Sequence, residues 1–156
     1  MILWAEMAER PIAVDVADLL STPGFVWRWP HVDPVSEWAD KQSGRIVIVP
    51  EFLDLFEELR RRHGRPIPIT SGYRTPEHNA AVSTTGDRGP HTYGQAVDIR
   101  CGGRDAYALA LIAFALGFTG IGFGQNLDLP LARRYLHLDT LTPAQGFPQR
   151  PNIWSY

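Results

Sequence analysis

The stretch HTYGQAVDIR, residues 91–100, places His91 seven positions before Asp98, with the small residues Gly94 and Ala96 between them. Side chains of a β-strand alternate between two faces, so Ala96 and Asp98 would share one face while apolar residues occupy the other. Two interpretations fit this pattern. Either an ordinary turn and strand happen to include polar residues, or the histidine and the aspartate are two ligands of one metal ion.

The stretch RRYLHLDT, residues 133–140, predicts a second strand with the same division of faces. Leu136 and Leu138 would face the core, which leaves His137 and Asp139 together on the opposite face. Each of the two strands therefore presents an acid or a histidine on one face only.

A hydrolytic zinc site needs three protein ligands, drawn from histidine, aspartate and glutamate, and an open position for water. His91, Asp98 and His137 can supply such a set. Gly94 would let the chain fold back so that the first two ligands reach the same point, and Ala96 would leave space beside them. The spacing alone is also compatible with histidines that are structural or simply exposed.

The rest of the sequence predicts both helices and strands. Two of the predicted connections between strands are too short for the crossover that parallel strands need. The sequence therefore predicts an α+β fold with a largely antiparallel sheet flanked by helices. If His91, Asp98 and His137 bind a metal ion, the site lies on one face of this sheet. The predicted strands are residues 45–50, 66–70, 95–100, 120–124 and 133–140, of which the last is the final strand. The predicted helices are residues 50–64, a short helix after the N-cap Thr75, and residues 104–118, which are apolar nearly all round and should be buried.

The bulk composition excludes several classes of function. The 156 residues suffice for one domain, and the hydrophobic fraction of 44% is enough for a core. A net charge of −2 and a pI near 6.2 give no electrostatic reason to expect binding to nucleic acid or to an anionic membrane. The single cysteine, Cys101, follows a predicted strand and is expected to be a buried thiol rather than a nucleophile.

The beginning of the chain is the least informative part. Residues 1–24 are predicted to form an N-terminal extension and residues 25–156 the main domain, and residues 11–20 (PIAVDVADLL) could form a short helix. The first residues lack the basic and apolar segments of a secretory signal, so we expect synthesis in the cytoplasm. The longest apolar run, residues 106–116, is too short to span a bilayer, and no membrane insertion is expected.

Four motifs occur in order and at suitable spacing, namely SGYRTPEHN at 71–79, HTYGQAVDI at 91–99, GFTGIGFG at 117–124 and LHLDT at 136–140. Together they resemble the M15 family of zinc peptidases, which includes D-alanyl-D-alanine carboxypeptidases, dipeptidases and phage endolysins. The branch that they resemble most is the small one with His-x-Asp in its last motif. The resemblance covers about residues 43–156. It implies a fold around a central antiparallel sheet and zinc held by His91, Asp98 and His137.

The resemblance also implies roles for residues outside the ligand set. Arg74 stands at the arginine of a Ser-x-x-Arg motif, where the guanidinium would bind a substrate carboxylate or steady the oxyanion. The alternative for Arg74 is a structural ion pair at a helix start. Tyr93 lies between two ligands in the sequence and is expected to be a cleft residue that contacts the substrate.

Two positions depart from the family pattern. Gly89 replaces a serine that many relatives have two residues before the first histidine ligand, so a hydrogen bond near the site would be missing. Arg134 stands where several branches have the general base, and a guanidinium cannot accept a proton. Asp139 is the predicted replacement. It would take a proton from zinc-bound water or, alternatively, orient a ligand imidazole.

The sequence thus predicts a zinc metallopeptidase that hydrolyses a peptide bond in bacterial peptidoglycan stem peptides or crosslinks, as a carboxypeptidase or an endopeptidase. The expected setting is a phage, a prophage or a phage-like particle, whose enzyme reaches the cell wall after release or as a virion component. Residues 1–24 could then dock to other particle proteins. The alternative is a zinc-binding structural or binding module of a phage-like particle, with weak or no catalysis. The absence of an acid at position 134 supports this alternative.

Overall fold

The computed structural model describes residues 12–156 and contains helices, a five-stranded sheet and a two-stranded sheet. The strands are β1 (Ile12–Asp15), β2 (Arg45–Ile48), β3 (Ile69–Ser71), β4 (Ala96–Arg100), β5 (Gly120–Gly124), β6 (Tyr135–Asp139) and β7 (Asn152–Ser155). The helices are α1 (Val16–Ser21), α2 (Pro50–His63), α3 (Pro76–Val82) and α4 (Gly103–Leu116). Single helical turns occur at Pro34–Trp38, Gly86–Arg88, Pro90–Tyr93, Leu131–Arg133 and Pro143–Gln145.

The main sheet has the strand order β3-β4-β6-β5-β7. All its neighbouring strands are antiparallel except β5 and β7, which are parallel. The predicted α+β fold with a largely antiparallel sheet is therefore confirmed. The expectation that β6 is the final strand is wrong, because β7 follows it and pairs with the far side of β5. Local sequence patterns do not reveal that long-range pairing.

Two predicted helices differ from the structure. Within residues 11–20 the helix begins only at Val16, because Ile12–Asp15 form β1 and pair antiparallel with β2. Pro11 lies outside the described residues. The second difference concerns α4, which was expected to be buried all round. Tyr107 and Phe114 are 70% and 51% exposed, since only one side of this apolar helix packs against the core.

The core lies on the face of the sheet opposite to the polar pattern. Helix α2 begins with Pro50 and is terminated by Gly64, the residue after His63, whose φ of 73° is the left-handed conformation that favours glycine. The residues that fill the core include Trp29, Trp38, Phe52, Phe56, Leu59, Val97, Ile99, Leu109, Ala113, Leu136 and Leu138. Because β4 and β6 give their apolar side chains to this core, their other face is left to polar residues. No helix within residues 12–156 is long and apolar enough to cross a membrane.

Candidate metal centre

The pairing of β4 with β6 places two of the predicted ligands side by side. Asp98 lies directly opposite His137, and Ala96 lies opposite Asp139. Residues opposite each other in an antiparallel pair have neighbouring side chains on the same face. The alternation expected for each strand therefore brings the carboxylate and the imidazole together.

The third predicted ligand, His91, comes from the helical turn Pro90–Tyr93. This turn ends at Gly94, whose φ of 68° reverses the chain into β4. A Cβ atom on Gly94 would also lie 2.8 Å from the backbone oxygen of Val47. Gly94 is therefore required both for the turn and for the close approach to β2. The expectation that Gly94 lets the chain fold back between His91 and Asp98 agrees with this geometry.

The donor atoms of the three side chains converge on one point. Oδ2 of Asp98 lies 3.2 Å from Nε2 of His91, and Oδ1 of Asp98 lies 3.1 Å from Nδ1 of His137. One donor atom from each of the three residues lies within 4.8 Å of the other two. A tetrahedral zinc ion with bonds of about 2.0 Å keeps its ligand atoms roughly 3.3 Å apart. The His-Asp-His cluster therefore has the donor types and the number of ligands that suit a zinc ion, and its donor atoms lie close enough together to hold a metal ion.

The outer nitrogen of each histidine has a hydrogen-bond partner that fixes the ring. Nδ1 of His91 lies 2.7 Å from the carbonyl oxygen of Gly72. Nε2 of His137 lies 2.9 Å from Oδ2 of Asp139. Carbonyl and carboxylate partners of this kind orient metal-binding imidazoles and select the tautomer that leaves the inner nitrogen free. The surroundings of both histidines thus suit metal ligation.

The electrostatics keep Asp98 charged and His91 neutral. Burial disfavours the charged form of Asp98, but its interactions with His91 and His137, which include hydrogen bonds from both rings, outweigh burial and hold the pKa of Asp98 well below its usual range. Burial lowers the pKa of His91. A metal ion binds the ionised carboxylate and the neutral imidazole, so both residues favour the protonation state that it requires.

The protonation of His137 is set by two carboxylates. Burial alone would lower its pKa, but hydrogen bonds with Asp139 and Asp98 outweigh burial and raise the pKa of His137. Asp139 is fully buried, and the hydrogen bonds from His137 and Arg150 outweigh the effect of burial and lower its pKa. A metal ion at the cluster would compete with the proton on His137.

Arg74 lies beside the cluster, two residues before the first residue of α3. Its Nη2 donates to Oδ2 of Asp98 at 2.9 Å, its Nε to Oγ of Ser71 at 2.9 Å, and its Nη1 to Oδ1 of Asn79 at 3.2 Å. Asn79 in turn donates to Thr85 and to the carbonyl oxygen of Gly86. The guanidinium is therefore held rigidly next to a predicted metal ligand, and its side chain is 16% exposed.

The cluster opens into a cleft of about 710 Å³. One wall includes Trp154, whose ring centroid lies 5.3 Å from that of His137, and Phe147 is also part of the lining. Arg150 lies against Trp154, with its guanidinium carbon 4.8 Å from the ring centroid. Among the described residues that line the cleft, Asp98 has the only acidic side chain.

Strand β5 leaves room for these large side chains because every second residue is glycine. Gly120, Gly122 and Gly124 lie opposite Asp139, His137 and Tyr135 of β6, respectively. A Cβ atom on Gly120 would lie 2.3 Å from the carboxylate of Asp139, one on Gly122 would lie 2.7 Å from the ring of Trp154, and one on Gly124 would lie 2.3 Å from the ring of Tyr135. Glycine at these three positions lets the β5 backbone lie directly against the side chains of Asp139, Trp154 and Tyr135.

Asp139 does not line the cleft. Its carboxylate is turned onto Nε2 of His137 and accepts two hydrogen bonds from Arg150 and one from the backbone N–H of Leu141. Its predicted role as a base stays a prediction. These contacts favour the second role considered for Asp139, the orientation of the His137 imidazole.

Tyr93 also lies outside the cleft lining. Its ring packs edge to face on Phe147, with 5.4 Å between the centroids, and Phe147 does line the cleft. A direct contact between Tyr93 and a substrate stays a prediction.

The two departures from the family pattern have local explanations. A Cβ atom on Gly89 would lie 2.1 Å from Oγ1 of Thr85, so the Thr85 hydroxyl fills the space that a serine side chain would need. Arg134 donates from Nε and Nη2 to the carbonyl oxygens of Leu129 and Leu127. Its guanidinium thus holds a loop. Cys101 is buried, as expected, and burial raises its pKa to about 12.

Sequence reasoning missed the contributions of Arg150 and Trp154. Trp154 belongs to β7, and the alternation in NIWSY places Trp154 and Tyr156 on one face, which was the signal available. Arg150 follows an irregular stretch with no periodic pattern, and no signal in the sequence singled it out.

Comparison with known proteins agrees with the geometry. No curated protein matches the sequence significantly. A family model described as Peptidase M15 matches residues 32–139, which is more than half of the chain and includes His91, Asp98 and His137. The match does not extend to Arg150 or β7. Over the greater part of its length, and with a His-Asp-His cluster that could bind a metal ion, this chain belongs to the peptidase M15 family.

Proposed function

We propose that this protein is a zinc-dependent peptidase that hydrolyses a peptide bond in bacterial peptidoglycan stem peptides or their crosslinks. The observation that supports this proposal most is the convergence of His91, Asp98 and His137, with their donor atoms within 4.8 Å, in a protein of a peptidase family. A carboxypeptidase and an endopeptidase are both compatible with the cleft.

Each residue near the cluster has a proposed task. Zinc, held by His91, Asp98 and His137, would polarise the substrate carbonyl and lower the pKa of a water molecule toward about 7. Arg74 has a planar, permanently charged side chain that suits a substrate carboxylate or the developing oxyanion. Trp154 offers an apolar wall against which a peptide side chain can pack.

We assign to Asp139 the orientation of His137 rather than proton transfer. Its carboxylate has no solvent exposure, and both of its oxygens already accept hydrogen bonds. A general base must reach the proton that it removes, directly or through one water. Asp139 would have to leave Arg150 and His137 to do so.

The lack of a second acidic side chain in the described cleft lining favours one further candidate function. A protein of this family without a general base could bind zinc and a cell-wall peptide with little or no turnover. Arg134, at the position where several branches have the base, points to the same alternative.

We also propose a phage, prophage or phage-like-particle origin, in which the protein reaches the cell wall after release or as part of a virion. In that setting residues 1–24 would contact other particle proteins. Within this segment β1 already pairs with β2.

Digestion of purified peptidoglycan, analysed by mass spectrometry of the released fragments, tests the proposed activity. Hydrolysis that stops on chelation and returns with added zinc supports a zinc peptidase, and the fragment masses identify the bond that is cut. Retention of the protein on peptidoglycan without any new fragments would instead support the binding module.

A further inference from the structure

A second pocket, of about 280 Å³, adjoins the metal centre on the side of β4 and β3. It shares Arg74, Asp98 and Tyr135 with the main cleft, so the two spaces meet at the predicted metal ligand Asp98. The arginines that line this pocket are Arg74, Arg100, Arg133 and Arg134. Asp98 is the only acidic residue of its lining. The pocket is therefore strongly basic in a protein whose net charge is −2.

The strand register explains how one of these arginines reaches the pocket. Arg100 follows Asp98 by two residues on β4 and therefore lies on the same face of the sheet. It pairs with Tyr135, next to the pair formed by Asp98 and His137. Arg133 comes from the helical turn that precedes β6. Two exposed cations thus lie beside the metal centre from separate elements of the fold.

The four arginines differ in whether they already have partners. Arg74 pairs with Asp98, and Arg134 donates to the backbone of residues 127–129. Within residues 12–156, the side chains of Arg100 and Arg133 form no ion pair and no hydrogen bond. Their guanidinium groups remain available for an anion from outside the protein.

We propose that Arg100 and Arg133 form an anion subsite that binds a carboxylate of the peptide whose backbone lies at the metal centre. This inference rests on the proposed peptidase function and adds the chemistry that the substrate must have. A guanidinium binds a carboxylate through two parallel hydrogen bonds, and two guanidinium groups in one pocket can hold one carboxylate from both sides. The subsite favours peptides with a negative charge close to the bond that is cut.

In a stem peptide with lysine at its third position, the carboxylate has two possible sources, the C-terminus and the γ-linked glutamate. Three synthetic stem pentapeptides of this lysine type distinguish them. The first has a free C-terminal carboxylate and a free carboxylate on its γ-linked glutamate. The second is amidated at the C-terminus alone, and the third at the glutamate alone.

Calorimetric titration of the full-length protein after zinc removal measures binding of each peptide while no hydrolysis occurs. The variants are the double substitution Arg100→Gln with Arg133→Gln and, as the control, Arg62→Gln. Arg62 is exposed on α2 and lines neither pocket, so its substitution removes a positive charge away from the site. Circular dichroism of each variant verifies its folding.

The double variant should bind the peptide with both carboxylates at least about 10-fold more weakly than the wild type, and Arg62→Gln should bind it within about twofold. One of the two amidated peptides should bind the wild type weakly, and its affinity should not fall further in the double variant. The carboxylate that is amidated in this peptide is the one that the subsite binds. Equal affinity of the wild type and the double variant for the first peptide would overturn the subsite. So would equal weakening of all three peptides, or no binding of any peptide to the wild type.

Failure of the proposed hydrolysis has a different signature. Arginine-dependent binding of a carboxylate, combined with no cleavage by the zinc-loaded protein, would support the subsite and reject the peptidase. Cleavage by the zinc-loaded protein, with binding that does not depend on Arg100 and Arg133, would reject the subsite alone.

Discussion

Arg150 donates two hydrogen bonds to Asp139, from Nε to Oδ1 at 3.0 Å and from Nη2 to Oδ2 at 2.7 Å. The same Oδ2 lies 2.9 Å from Nε2 of His137. The carboxylate is therefore fixed on one side by a guanidinium and on the other by the imidazole that it orients. Substitution of Asp139 should therefore affect zinc binding through His137, whereas substitution of a free catalytic carboxylate would affect the rate alone.

Asp139→Asn keeps the shape of the side chain but removes its charge. We expect zinc affinity to fall by roughly 10- to 100-fold, because the orientation and basicity of His137 depend on this carboxylate. Competition with a chelator of known affinity measures the change, and Asp18→Asn at an exposed position is the control. Unchanged zinc affinity with a rate lowered about 10²- to 10⁴-fold would instead identify Asp139 as the base.

Arg74→Lys keeps the charge but cannot reproduce the hydrogen bonds to Ser71, Asn79 and Asp98 together. We expect kcat/KM to fall by roughly 10²- to 10³-fold, the usual effect of losing an oxyanion donor. The zinc content of the saturated protein should stay at one ion per chain. Steady-state kinetics and metal analysis test both points against Arg62→Lys. Wild-type kinetics in Arg74→Lys would show that the ion pair with Asp98 is structural only.

His137→Ala removes one of three predicted ligands. The purified protein should hold about one zinc ion, and the variant should lose most of it, because two ligands bind zinc poorly. Metal analysis after dialysis measures the loss, with His63→Ala at the end of α2 as the control. Zinc removal should also lower the melting temperature of the wild type, since the ion binds the folded state. Full zinc occupancy in His137→Ala would exclude this residue from the site.

Asp40 predicts how stability depends on pH. Burial raises its pKa, but hydrogen bonds from His78, Ser43 and Thr75 outweigh burial and lower the pKa from 3.8 to about 2. Because the pKa is lower in the folded state, the carboxylate stabilises the fold above about pH 4, and this contribution is lost as the pH falls toward 2. At pH 6, Asp40→Asn should reduce the free energy of unfolding by on the order of 2 kcal/mol.

Urea unfolding at a series of pH values measures this contribution. The difference between the wild type and Asp40→Asn should shrink between pH 4 and pH 2, while Asp18→Asn should match the wild type throughout. A difference that stays constant over this range would mean that ionisation of Asp40 does not stabilise the fold.

The sequence was most informative where one strand face is wholly apolar. In β4 and β6 the buried residues Val97 and Leu138 fix the inward face, so the period of two determines which residues lie outward. The outward position of Asp98 and of His137 on their own strands could therefore be predicted before any coordinates. Their proximity depends on the pairing of β4 with β6 and was implied only by the family resemblance, and zinc binding itself stays a prediction. Helix α2 was equally predictable from its spacing, its first-turn proline and its C-terminal glycine.

Local patterns failed where tertiary contacts decide the outcome. β1 forms by pairing with β2 across the intervening residues 16–44, and β7 forms by joining the open side of β5. Neither pairing is encoded within the segment itself. Arg150 and Trp154 reach the site only through the second of these pairings, so periodicity could not place them there. The burial of α4 was overestimated because the apolar composition of a helix does not determine how many of its sides pack against other elements.

The contact between Gly124 and Tyr135 restricts how this site can evolve. A methyl group on Gly124 would lie 2.3 Å from the Tyr135 ring, and that ring also packs against Tyr156 at 5.2 Å. A single substitution that enlarges position 124 would therefore displace both aromatic rings beside the metal centre. Because positions 124 and 135 share this space, a larger residue at 124 should be accompanied by a smaller residue at 135, so substitutions at the two positions should be inherited as pairs.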